Sequence, residues 1–90
     1  MELAMAFDPD FGKTGFARDL SRLRFHRLKI EQPDFAKRFG LTFGQIKEQE
    51  QARHNPSRAL KVLVTAIEMD PDLIERAASI AAARWPDPVE

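Results

Sequence analysis

The side chains with most chemistry to offer are cations gathered in the middle of the chain. Between residues 17 and 61, eleven bases (Arg18, Arg22, Arg24, Arg27, Lys29, Lys37, Arg38, Lys47, Arg53, Arg58 and Lys61) stand against five acids, Asp19, Glu31, Asp34, Glu48 and Glu50. Acidic ends offset that surplus, so the 90-residue chain is formally neutral. A basic centre between acidic ends is the footprint of a small module that meets phosphate through its middle. A solvated basic face is the plainer reading of the same count. Catalytic chemistry finds little purchase. His26 and His54 fall on different predicted elements, with no acid at metal-ligand spacing from either. There is no cysteine, so disulfides and thiolate metal sites are excluded and the chain suits a reducing cytoplasm. Gly12-Lys13-Thr14 lacks the earlier glycine and the feeding strand of a phosphate loop, and no nucleophile elbow is present. We therefore expect no enzyme, no metal and no cofactor. No apolar run approaches the roughly 20 residues that span a bilayer. Glu2 and Asp8 break the pattern of a signal peptide. The expected setting is the cytoplasm, away from membranes.

The elements that must position those cations are short helices. Phe16, Leu20, Leu23 and Leu28 recur at helical spacing and predict a first helix over 16–29, with Arg18, Arg22 and Arg27 on its other face and Phe25 off the stripe. A second helix is expected over 33–39 and a third over 43–51. Gly40 supplies the turn between them, because glycine takes a positive φ without steric cost. Thr42 is the expected N-cap of the third helix. Phe35, Ala36, Phe39, Leu41 and Ile46 are the apolar contacts that lock this pair, Ala36 being small where the helices must approach closely. Two short helices around such a turn have the grammar of a helix-turn-helix, whose second helix lies in the DNA major groove. A polar loop over 52–55 follows. A fourth helix is expected from Pro56 or Ser57 to about Met69, with Leu60, Leu63, Val64 and Ile67 as its stripe. Asp70-Pro71 ends it, since the residue before proline is pushed out of the α region. Asp70 then caps a fifth helix to about Arg84, whose Leu73, Ile74, Ala77, Ala78, Ile80 and Ala81 form an alanine-rich face. The expectation is all-α: a leader over 1–15, a compact five-helix domain over 16–85 and a tail over 86–90.

The run from Arg27 to Pro56 resembles the Xre-type helix-turn-helix domain of Cro and other phage repressors, in the variant found in small HigA-type antitoxins. Gln32, Phe35, Ala36, Gly40, Thr42, Ile46, Glu50, Gln51, Arg53, Pro56 and Asp70-Pro71 carry the likeness, which covers about residues 20–75. It implies a lambda-repressor-like fold. Three departures stand out. Gln49 replaces a usual tryptophan, so the third helix loses a large packing group. Ala52 replaces the glycine after that helix, implying a different exit. Phe25 occupies the register of an arginine that usually pairs with the equivalent of Glu50, leaving Glu50 to find Arg24 or Arg53.

The resemblance further implies that Gln32, Phe43, Gly44, Gln45 and Glu48 face the groove. Gln32 would either bind a phosphate oxygen or brace the third helix. Thr42 and the helix N-terminus would point backbone N–H groups at a phosphate. Gln45 can donate and accept on an adenine edge, and Glu48 can accept from a cytosine amino group. Phe43 sits either against a thymine methyl or on the protein, and Gly44 permits close approach and reads nothing. Lys37, Arg38, Lys47, Arg53 and Arg58 are the expected phosphate contacts. With no arginine to fork onto guanine, each half-site would be read modestly, so two copies should pair on a pseudo-palindrome of double-stranded DNA. Ala77, Ile80, Ala81 and Trp85 are the expected homodimer surface. The implied role is a DNA-binding transcriptional regulator, in its antitoxin form an autoregulating repressor with a cognate toxin engaged through Met1 to Phe7. The competing role is a protein-interaction adaptor that keeps the fold without binding DNA.

Overall fold

The computed structural model describes residues 15–87, and every regular element within them is helical. Helix α1 spans Gly15–Ser21 and runs into a π-helical segment, Arg22–Leu28. Helices α2 (Gln32–Phe39), α3 (Phe43–Glu50), α4 (Arg58–Met69) and α5 (Pro71–Arg84) follow. The expected leader falls almost wholly outside the described residues, as do residues 88–90 of the tail. No helix among those described is long and apolar enough to cross a membrane.

Local chemistry sets most boundaries. The Gly40 N–H donates to the Ala36 carbonyl at φ 75°, and the Leu41 N–H reaches the same carbonyl at 2.9 Å. These bonds satisfy the end of α2 and turn the chain into α3. A Cβ at Gly40 would also come within 3.6 Å of Ala78, so α5 passes close over this turn. Thr42 and Gln45 form a reciprocal capping box at the start of α3. Ser57 accepts from the Leu60 N–H and starts α4 one residue after Pro56, which therefore precedes the helix. Asp70 accepts from the Leu73 N–H and caps α5, with Pro71 in its first turn.

The core gathers Leu20, Leu23, Phe35, Ala36, Phe39, Ile46, Val64 and Ile67, all buried. Phe35 and Phe39 pack tilted, their rings 4.8 Å apart. Each such aromatic or aliphatic side chain stabilises the fold by about 1.5–3 kcal/mol through burial. Small Ala17 and Ser21, also buried, lie on α1, which packs against α3. Helix α5 packs on α2 and α4 yet contributes no fully buried residue.

Two departures from expectation concern helix ends. The single helix predicted over 16–29 widens into π geometry from Arg22, and Lys29 closes it in the left-handed region at φ 59°. The third helix stops at Glu50, and Ala52 takes φ 58°. The exit from α3 is thus left-handed with alanine where glycine would sit without strain. An L-residue in that region costs about 1–2 kcal/mol, and glycine returns about 0.5–1 kcal/mol of that in unfolded-chain entropy. Ala52→Gly is accordingly expected to stabilise the domain by about 0.5–1 kcal/mol, raising Tm by about 2–8 °C in a thermal melt.

Candidate functional site

Helix α3 presents its first turn and outer face to solvent and is held from behind by a buried ionic clasp. Glu50 is only 1% exposed and Arg24 only 4%. Arg24 grips the carboxylate with both arms, Nε to Oε2 at 2.7 Å and Nη2 to Oε1 at 2.9 Å. Gln32 Nε2 donates to the same Oε1 at 3.0 Å, and Arg24 Nη1 donates to the Ile30 carbonyl at 2.9 Å. The Arg24 carbonyl in turn accepts from the Lys29 and Ile30 N–H groups. One arginine thereby fixes the end of the π segment, the start of α2 and the end of α3 together. A forked guanidinium–carboxylate pair is strong and geometrically exacting.

This arrangement decides the alternatives left open for Glu50 and Gln32. Arg24 is the partner of Glu50. Arg24 lies in the π segment four residues after Leu20 and is buried with Leu23, while Phe25 is 39% exposed. Gln32 braces α3. One N–H of its side-chain amide is engaged by Glu50, the bracing alternative of the two expected for it, and the second N–H keeps its donor capacity.

The solvent side of α3 carries Phe43, Gly44, Gln45, Lys47 and Glu48, all exposed. The Gln45 Oε1 accepts from the Thr42 N–H at 2.8 Å while its own N–H donates to Thr42 Oγ1 at 3.0 Å. The amide oxygen expected on an adenine edge thus also serves the cap through one of its two lone pairs, and the Nε2 donors face no cap partner. The Thr42 hydroxyl is likewise occupied as cap acceptor. Glu48 lies 3.2 Å from His54 Nε2, a pairing the sequence did not suggest. Phe43 is 46% exposed, with the Lys47 ammonium 5.1 Å from its ring centroid. Gly44 leaves open space, since a Cβ there would meet only Thr42 Oγ1, at 3.9 Å.

The side chains of Lys37, Arg38, Lys47, Arg53 and Arg58 are exposed, and none makes a hydrogen bond or ion pair among the described residues. Their charge is available to an external anion. Gln49, set where a larger group was expected, keeps its Oε1 buried without a partner. It borders a recess of about 150 Å³ lined by Phe16, Ala17, Ala52, His54, Asn55 and Pro56. Of the expected dimer residues, Ile80 is 58% exposed and Trp85 68%, while Ala77 and Ala81, exposed as well, line with Trp85 a groove over Ala36, Phe39 and Leu63. Met1 to Phe7, the expected toxin contact, lies outside the described residues. No family model matches the chain, and no curated protein and no solved structure matches it.

Proposed function

We propose that this chain is a sequence-specific DNA-binding transcriptional regulator of lambda-repressor-like helix-turn-helix type, with α3 as its reading helix. The observation that carries the reading is the pairing of an exposed α3 face with a buried clasp behind it. A reading helix must be held within a fraction of an ångström while its outer side chains stay free. Arg24, Glu50 and Gln32 supply the hold. Phe43, Gly44, the Gln45 amide and Glu48 supply the face, and the cations Lys37, Arg38, Arg53 and Arg58, unpaired among the described residues, are the candidate backbone contacts that set register.

The free side of α5 supports a homodimer, which would double the modest reading surface of one copy. Leu73 and Ile80 lie exposed on this helix. Ile80→Asp is expected to leave the helical content unchanged, because the side chain is outside the core, and to convert a dimer to a monomer in sedimentation analysis. A wild-type protein that sediments as a monomer at micromolar concentration would remove the dimer from the account.

A protein-interaction adaptor is the second reading, favoured by the exposed Phe43. Binding to duplex fragments from around the coding region, at two salt concentrations, separates the two. The regulator binds selectively and with strong salt dependence, and a Gln45→Ala/Lys47→Ala variant of native helical content loses selectivity. Absence of duplex binding at low salt would leave the adaptor.

A further inference from the structure

We infer that Phe43 and Lys47 act as one composite reading head for a thymine methyl group and a guanine lying one or two base pairs apart. The inference rests on the DNA-binding reading and names what that surface recognises. Four side chains of the α3 face carry reading chemistry, and two are already engaged: the Gln45 oxygen by the Thr42 N–H, and Glu48 by His54. Phe43 and Lys47 keep their capacity. Phe43 holds a large apolar ring 46% exposed in the first turn of α3, away from the core. The apolar feature that the major groove offers is the C5-methyl of thymine, and a ring edge or face covers it well. Gly44 beside it puts no Cβ in the way.

Lys47 follows one turn later on the same face. Its ammonium leans back over the Phe43 ring at 5.1 Å and meets no carboxylate. That position keeps the charge beside the ring and inside the reading surface, where its N–H groups suit guanine O6 and N7. Residues four apart sit one helical turn, about 6 Å, apart along the helix, between one and two base steps of about 3.4 Å. The two heads therefore address neighbouring or next-neighbouring pairs. Lys47, first grouped with the phosphate contacts, becomes a base reader.

The test begins with selection of bound duplexes from a random pool, followed by atomic substitution in the selected site. Deoxyuridine in place of the fixed thymine removes only the methyl. Wild-type affinity is expected to fall about fourfold, the worth of one methyl group taken from water, and Phe43→Ala affinity is expected not to change. A 7-deazaguanine at the fixed guanine should cost wild type about fivefold or more and cost Lys47→Ala nothing. Both side chains are exposed, so both variants should keep native helical content. Duplex binding that persists with no fixed thymine, or with neutral deoxyuridine, overturns the reading head alone. Failure to bind any duplex at low salt overturns the DNA reading and this inference together.

Discussion

Glu50→Ala is expected to destabilise the domain by about 3–5 kcal/mol, the cost of leaving a buried charge without its partner. Arg24 is 4% exposed and aims three nitrogens inward, two of them at Glu50. Without the carboxylate, the guanidinium must either stay desolvated or tear open the junction of the π segment, α2 and α3. A small domain has only about 5–15 kcal/mol of stability in total, so the variant should be partly unfolded near its working temperature. Urea unfolding measures the loss as a lower midpoint at similar slope. The double substitution Arg24→Met/Glu50→Leu is the informative companion. Replacing both charges with apolar groups of similar volume should recover most of the stability, because the desolvation cost disappears with the attraction. A loss below about 1 kcal/mol in Glu50→Ala would show that water relieves the pair and that the clasp does not hold α3.

Arg38→Ala/Arg53→Ala/Arg58→Ala is expected to weaken duplex binding by about 10²- to 10³-fold at 0.1 M salt, alike for all sequences. Each phosphate contact changes the slope of log affinity against log salt by about 0.9, so three contacts lower it by nearly 3 and cost roughly 8-fold each at that salt. All three side chains are exposed and without partners among the described residues, so the fold should be unaffected. Anisotropy titrations over a salt series measure both quantities. An unchanged slope would place the phosphate contacts on other cations.

The outcome for each element follows from how local its cause is. Gly40, Thr42, Ser57 and Asp70 act on backbone groups a few residues away, and their turn and caps could be read directly from spacing. The stripes of α2 and α4 likewise announced Phe35, Phe39, Val64 and Ile67 as core. The clasp depended on geometry that residue spacing does not carry. It joins two residues 26 positions apart, on elements whose crossing sets the pairing. A signal was nonetheless present: Arg24 continues the spacing of Leu20 and Leu28, and Glu50 follows Ile46 by one turn. A charge on each of two core-facing stripes calls for the two to meet. The Gln45 capping box was signalled too, as a Thr-x-x-Gln pattern, but that pattern does not settle whether the amide serves the helix or an external edge. Ala52 shows the opposite case: its left-handed exit runs against the residue's own preference.

Titration of the ¹⁵N-labelled protein with a short duplex, followed through backbone amide shifts at low salt, tests the central claim most directly. If α3 reads DNA, the largest changes fall at residues 42–48, smaller ones near Arg53 and Arg58, and added salt reverses them. Changes confined to α5, or none at low salt, would contradict the assignment of α3 as a DNA-reading helix.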